Sequence, residues 1–505
     1  MKRRHFLLSP LAAGTLTSRA APVTAATGFR AGFAEADITP EIGMEQPGGY
    51  GKAYHKSFHD PCKVRAAVFE GSGRTVALIS LDALTAPRYL VNEARRRLAA
   101  ECGLAPEAIL IGATHSHSSG PIGMIRPGDY DHAPPLVQKL AYEHSTIDNP
   151  RYVGRVLDQM VAAVSQARKT AAPAGAAAGF GYESQVAFNR RLRMKNGLTW
   201  SHPGQGNPDI VGYAGPVDPQ VGVVGAWDAS GRLTGCLVNY ACHATTNPGG
   251  ISANWIYYLE QMIRGAFGQQ VVVLFFPGAC GDVTQVDNLS PYARPSGEQW
   301  ARLVGGRVGT EAVKVLLSAT PGELLPVNYR QKVWKIARRK PAPEKVQRAY
   351  ALVQQDPKQV GETEWIFAKE TVLLDALLKV SPEAEVEVQA IQLGPAVFLT
   401  NPAELFCQLG LEIKARSRFP FTFPVELANG CVGYVPTEEA FGPNGGGYET
   451  RLTSYSNLEI TAGREIVEAA VELAGQLEPG PVPEPPKAPP FKAPWSYGNV
   501  PPEIS

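Results

Sequence analysis

The sequence predicts an α/β protein: a mixed, largely buried β-sheet with flanking helices. Three observations lead there. Five apolar runs, TVALISLD (75–82), AILIGATH (108–115), GCLVNYACH (235–243), VVVLFFPG (271–278) and VEVQAIQLGPAVFLTNPAE (386–404), are continuous rather than alternating. That is the pattern of strands covered on both faces. Helical stretches lie between and around them, at 89–101, 151–168, 255–267, 297–317 and 342–378, the alternation of an α/β sheet. The composition agrees: 505 residues, 44% apolar and 19% charged, with 51 Gly and 43 Pro, suit a loop-rich globular chain and exclude coiled coils.

Taken in order, the strand at 75–82 leads into the helix at 89–101. The strand at 108–113 ends in THSHSSG, and the helix at 151–168 follows. The strand at 235–243, the helix at 255–267, the strand at 271–278 and the helix at 297–317 repeat the alternation. Segment 380–400 reads instead as a hairpin with Leu393-Gly394-Pro395 as its turn, which makes the sheet mixed. From residue 478 proline dominates, so that stretch cannot form helix or a central strand; it is expected to be an extended strap or a disordered tail. No internal repeat of solenoid period is present.

The first residues read as an address. Arg3-Arg4 precede Phe6-Leu7, a short apolar stretch and small residues around Ala25-Ala26, as in a twin-arginine export signal over 1–26. The alternative is an amphipathic N-terminal helix. The chain then divides into this leader, a main domain over 27–477 and a Pro-rich tail over 478–505, and a periplasmic or secreted location is expected. Lys and Arg (48) balance Asp and Glu (47), so no basic stripe is available for nucleic acid. The longest apolar stretches are too short for a transmembrane segment. The seven cysteines contain no CxxC pair and hence no thiolate metal site. They read mostly as buried small hydrophobes, with one disulfide at most.

Ligands collect at the carboxyl ends of strands in α/β sheets, and here polar residues follow nearly every strand. His115 and His117 stand two apart just past 108–113. They are either loop histidines held by backbone or a metal-binding or catalytic pair. His243 follows the next strand and is either structural or a further imidazole ligand. In PGACGDVTQ (277–285), Gly278 and Gly281 permit close backbone approach, with Asp282 and Thr284 polar in the loop; the bland reading is a tight turn capped by Asp282. Glu404 follows the hairpin in an apolar setting, where a carboxylate needs a metal, an arginine or a helix N-terminus. Two His plus a carboxylate, with a position left for water, is the hydrolytic zinc pattern. No HExxH motif is present, so the chain is not a zincin.

The order of these motifs resembles the catalytic domain of the neutral/alkaline, non-lysosomal ceramidases. GFAEADITP (32–40) with GGYG (48–51), ATHSHSSGP (113–121), FNRR (188–191), NYACHATTN (239–247), ACGDVTQ (279–285), NPAELF (401–406) and LANGCVGYVPTEEAF with GGYE (427–449) are each similar to a family landmark, in the family's order, across roughly residues 30–450. The resemblance implies a ceramidase-like catalytic domain. It places the zinc ligands on His115, His243, Glu404 and Tyr434, a catalytic imidazole on His117, and substrate- and oxyanion-contacting groups on Arg190 and Tyr448. Read without it, Tyr434 is a core residue and Arg190-Arg191 a solvated basic turn. Thr284 stands where the family's GDVSP segment has serine. Ser252-Ala253-Asn254, Ala403 and Leu405 also depart from the family's pattern, and the Pro-rich stretch stands where the family carries an immunoglobulin-like domain.

The activity implied is zinc-dependent hydrolysis by metal-activated water, on the amide bond of an N-acyl, ceramide-like substrate. Zn²⁺ is the cofactor and a small-molecule or lipid or glycan substrate the partner. Two alternatives stay open: hydrolysis of a glycosidic or ester bond in a glycan or glycolipid, for which Asn247, Asn254 and Trp255 would suit a sugar, and a non-catalytic periplasmic binding protein.

Overall fold

The computed structural model describes residues 28–505 apart from 124 and 499, so the leader read at 1–26 lies outside the described residues. Among the described residues most strands fall in three mixed sheets, and the rest form one three-stranded and two two-stranded pieces. The first runs Ile109–Ala113, Arg74–Leu81, Lys63–Gly71, Arg30–Asp37, Ala172–Pro173. The second runs Val272–Pro277, Leu233–Tyr240, Gln220–Trp227, Gly175–Tyr182. The third runs Val327–Ala337, Glu383–Leu393, Ala396–Thr400, Phe421–Val425. Each sheet contains one parallel pair among antiparallel ones.

Continuous apolar runs follow from burial on both faces. Along Lys63–Gly71, Val64, Ala66 and Val68 join a core with helices Arg88–Cys102 and Pro150–Thr170, whereas Ala67 and Phe69 point the other way. That second face belongs to a core shared by all three sheets, where Phe69 and Leu78 meet Leu237, Phe276, Phe398 and Phe423. The outer face of the second sheet packs on helices Trp255–Phe267 and Gly297–Leu317. That of the third packs on Cys407–Arg416 and Ala462–Gly475.

The helix expected at 342–378 is broken into Pro343–Leu352, Pro357–Val360 and Glu362–Val380. Pro357 cannot continue a preceding helix, Asp356 caps the next turn by accepting from the Lys358 amide at 2.9 Å, and Gly361 sits at φ +89°. The hairpin turn at 393–395 forms as expected. No disulfide joins the cysteines; all seven are free thiols, six of them buried. From residue 478 onward the described residues form neither helix nor strand. The start of this stretch is tied down, with the Gly480 amide donating to the Gly394 carbonyl at 3.0 Å. Among the described residues no helix is long and apolar enough to cross a membrane.

A buried ion network fixes the first sheet against the second. Arg65 bridges Asp82, at 2.9 Å, and Glu260 of the helix Trp255–Phe267. Lys63 and Arg264 also reach Glu260, at 2.7 and 2.6 Å. Asp82 sits one residue past its strand, beside Thr114 at the root of the His115 loop.

Candidate metal centre

The three parallel pairs end at one place. Leu81 pairs with Ala113, Tyr240 with Pro277, and Thr400 with Val425, and the chain leaving these ends carries His115, His117, His243, Cys280 to Thr284, Glu404 and Glu426. His115 takes φ +62°, uncommon for a residue with a Cβ. Its Nδ1 lies 2.9 Å from the Leu84 carbonyl, and His243 Nδ1 lies 3.2 Å from the Val283 carbonyl. A carbonyl only accepts, so each Nδ1 carries the proton and each Nε2 presents a lone pair inward. The two loops are stitched together by a parallel bridge, Ser116 to Ala244, in which the His117 amide donates to the Ala244 carbonyl at 3.2 Å. Gly48, at φ +108°, leaves room for His117, whose Nδ1 would lie 2.4 Å from a Cβ placed there.

Donor atoms of His115, His117 and His243 all lie within 4.8 Å of one another, a group able to hold a metal ion. Glu404 Oε2 lies 3.0 Å from His243 Nε2 and 3.3 Å from His115 Nε2, and His117 Nε2 lies 3.3 Å from His115 Nε2. With the Nδ1 protons of neutral His115 and His243 directed to carbonyls, their Nε2 atoms and Glu404 Oε2 are all acceptors. Acceptors at such distances repel unless a proton or a cation stands between them, so the donor set fits a divalent metal. A partial substitute is Arg190 Nη1, 3.2 Å from His243 Nε2.

Electrostatics favour a positive charge between His115 and Glu404, which a proton or a metal ion can supply. Burial, then the Arg190 charge, pull His243 down to about 3. Burial and the two neighbouring imidazoles take His117 well below its ordinary value. Burial also opposes the charged forms of His115 and Glu404, but their mutual attraction outweighs it, raising His115 and holding Glu404 well below the usual carboxylate range. At neutral pH His117 and His243 are neutral bases and Glu404 is ionised. Burial raises the phenols of Tyr434 and Tyr448, which stay protonated.

Glu404 is held by its backbone. It pairs with Tyr434 between the short parallel strands Glu404–Leu405 and Tyr434–Val435. Gly281 donates to the Leu405 carbonyl at 2.8 Å, and a Cβ on Gly281 would lie 2.3 Å from the Glu404 carbonyl oxygen. The glycine therefore serves close approach, to this strand rather than to a ligand. Asp282 is buried, accepting from the Cys407 amide at 2.8 Å and from Asn189 Nδ2 at 2.7 Å. It organises loops, whereas Thr284 lines the cavity. Arg190 is buried, donating to Glu449 at 2.8 Å and to the Gly281 carbonyl at 2.6 Å, which excludes a solvated basic turn. The Tyr434 and Tyr448 hydroxyls lie 3.0 Å apart, with the Arg190 guanidinium 5.3 and 5.1 Å from their ring centres.

His115, His117, Arg190, His243, Glu404, Tyr434 and Tyr448 all line one cavity of about 590 Å³. Asn247, Asn254 and Trp255 do not. Asn247 is exposed outside it, and the other two are fully buried: Asn254 Oδ1 caps the helix by accepting from the Trp255 amide at 3.0 Å, and Trp255 Nε1 donates to the His243 carbonyl at 3.0 Å. The sugar contacts expected of them are thereby corrected. Sequence reasoning missed Tyr455, whose hydroxyl donates to Glu404 Oε1 at 2.7 Å, Glu449 behind Arg190, and Glu426, which accepts from the Cys280 and Leu405 amides at 2.9 and 3.0 Å. Glu449 had a signal, adjacency to Tyr448; Tyr455 and Glu426 had none.

No protein-family model matches the chain. Over 307 residues it is 26% identical to the neutral ceramidase of Pseudomonas aeruginosa, a match covering 57% of this chain and 42% of that protein, so the matched stretch spans less than half of the relative's length. The crystal structure of a neutral ceramidase from Pseudomonas aeruginosa superposes with a TM-score of 0.67 at 21% identity, covering 91% of this chain and 76% of that one. A ceramidase complexed with C2 superposes with the same TM-score at 20% identity, covering 92% and 77%. The likeness read from seven motifs is borne out at the level of architecture: the chain has the neutral ceramidase fold.

Proposed function

We propose that the protein is a zinc-dependent hydrolase that cleaves the amide bond of an N-acyl substrate. One observation carries the reading: Oε2 of Glu404 lies within 3.3 Å of the Nε2 atoms of both His115 and His243, on the wall of an open cavity. His115, His243 and Glu404, with the Tyr434 phenol, would hold the ion. A zinc ion held there supplies Lewis-acid polarisation of a carbonyl and lowers the pKa of water.

The chain's own groups supply the rest. His117, neutral and beside the group, takes the proton from the attacking water and returns it to the leaving nitrogen. The acyl carbon gains the water oxygen and the C–N bond breaks. Tyr448, kept protonated by burial, donates to the developing oxyanion with the Arg190 charge behind it. Glu449 and the Gly281 carbonyl fix the plane of Arg190. The likeness to neutral ceramidase supports an amide over a glycosidic or ester bond. We further propose the division into leader, catalytic domain and tail, and a periplasmic or secreted location resting on the twin-arginine-type leader.

The test is elemental analysis of the purified protein together with hydrolysis of a fluorogenic N-acyl amide. One zinc per chain, turnover abolished by a chelator and restored by zinc, and loss of both in His243→Ala and Glu404→Ala are expected. Full turnover by metal-free protein, or wild-type zinc content in either variant, would refute the reading.

A further inference from the structure

One loop supplies a stretch of the cavity wall whose chemistry is one-sided. Between the strand Val283–Thr284 and the helix Gly297–Leu317, residues Gln285, Asn288 and Arg294 line the cavity, with Trp300 one turn into the helix. Asn288 is 3% exposed, and its Nδ2 is buried without a hydrogen-bond partner. An orphaned buried donor is costly, and an acceptor brought by a ligand would relieve that cost. Gln285 gives its Oε1 to the Thr245 hydroxyl at 3.0 Å, which leaves its amide nitrogen as donor. Arg294 is exposed, its guanidinium lies 5.4 Å from the Trp300 ring centre, and among the described residues it forms no ion pair. Gln205 Nε2, donating to the Ser290 carbonyl at 2.7 Å, ties the loop to the facing segment.

Two further features narrow the ligand. Among the described residues Glu404 is the lone carboxylate on the wall, and the imidazoles engage it, so Arg294 has water as its neighbour and is free to meet an anion. The aliphatic side chains on the wall are Leu84 and Val286, too few to cover two long alkyl chains. A volume of about 590 Å³ matches a small-molecule site.

We infer that Gln285, Asn288, Arg294 and Trp300 form a headgroup subsite for an oxyanion, so that the substrate class is a single-chain N-acyl amide whose amine portion carries a carboxylate or a similar anion, rather than a two-chain neutral lipid. The inference rests on the amide-hydrolase reading for the bond cleaved, but not for the binding preference. Arg294 on the Trp300 face meets the anion with a charge-assisted hydrogen bond, and Asn288 Nδ2 gains its missing acceptor.

The test separates binding from turnover by using sulfonamides that an amidase cannot cleave. Decanesulfonylglycine, decanesulfonyltaurine and the neutral decanesulfonylethanolamine are titrated into the full-length, zinc-loaded protein by calorimetry. The glycine compound is expected to bind about 10- to 100-fold more tightly than the ethanolamine compound, the worth of hydrogen bonds to a charged group. That preference should fall below about threefold in Arg294→Met and shrink in Asn288→Ala. Taurine equal to glycine assigns the subsite to oxyanions in general, and weaker taurine binding assigns it to carboxylates. Equal affinity for the glycine and ethanolamine compounds, no detectable binding of either, or a preference that survives Arg294→Met overturns the inference. Turnover of the corresponding N-decanoyl amides is measured separately. Absence of hydrolysis with the preference intact would refute the amide-hydrolase reading and leave the subsite standing.

Discussion

Replacing Gly281 with alanine would strike the backbone of Glu404 while leaving every proposed ligand side chain unaltered. The new Cβ would lie 2.3 Å from the Glu404 carbonyl oxygen, 2.7 Å from its carbonyl carbon and 3.0 Å from the Leu405 carbonyl carbon. All three are backbone atoms, so no side chain can rotate away. Restoring ordinary contact requires the two segments to part by about 1 Å. The Gly281 amide to Leu405 carbonyl bond, 2.8 Å long, is lost or stretched by that movement. Overpacking of this kind costs about 1–3 kcal/mol and a lost hydrogen bond about 1 kcal/mol, for a total of about 2–4 kcal/mol. Glu404 Oε2 moves with its backbone, away from the His115 and His243 nitrogens. Displacement of a supporting group lowers metal affinity by about 10- to 100-fold. Urea unfolding and zinc competition against a chromophoric chelator read the two effects. Gly265→Ala is the control: it is exposed in the helix Trp255–Phe267 with nothing within 4 Å of the added Cβ, and should gain about 0.5–1 kcal/mol. A Gly281→Ala protein that binds zinc within threefold of wild type and loses less than 0.5 kcal/mol would show that the close approach does not position Glu404.

Burial pushes the Glu260 carboxyl up, but Arg65, Lys63 and Arg264 outweigh it and hold the group at about 2, below its ordinary 4.5. Its stabilisation, about 3 kcal/mol, is therefore complete above pH 4.5 and is lost as pH falls toward 2. Glu260→Gln should flatten the acid limb of the stability curve by about one proton, and parallel limbs for the two proteins would contradict the ion network. Tyr455→Phe removes one hydrogen bond to Glu404 while keeping the ring; zinc affinity should drop about 10-fold with unfolding free energy within about 1 kcal/mol of wild type, and unchanged affinity would exclude a supporting role. Denatured, unreduced protein should expose all seven thiols to a colorimetric reagent; five or fewer would reveal a disulfide.

The runs at 75–82, 108–115 and 271–278 could be read from the sequence because burial on both faces leaves no polar interruption. Alternate residues serve different cores, Ile109 and Ile111 on one side and Leu110 on the other. The same logic hid Gly175–Tyr182 and Gln220–Trp227: their Ala and Gly residues carry little apolar signal, although both strands belong to the second sheet. His115, His117, His243 and Glu404 stood out as metal-compatible groups just past strand ends. Tyr434 looks like a core residue from its neighbours, and only the order of motifs marked it. Asn254 was misread because the chain reverses there at φ +62° and turns its amide inward as a helix cap, a geometry that no local pattern announces. Helix 342–378 was overextended because apolar spacing resumes after Pro357 and Gly361, and spacing alone does not register a change of axis.

The bridge between Ser116 and Ala244 has a consequence for route rather than affinity. Neither imidazole arm can swing outward alone, because each is sewn to the other, and Ser116 Oγ is further fastened to the Ser252 carbonyl at 2.8 Å. The arms are rooted in different sheets whose inner faces share one aromatic filling. An ion held between them would therefore leave only toward the cavity, shedding its ligands while both arms stay in place. Isotopic exchange of a cation loaded there should accordingly proceed without any increase in backbone hydrogen exchange at the two loops.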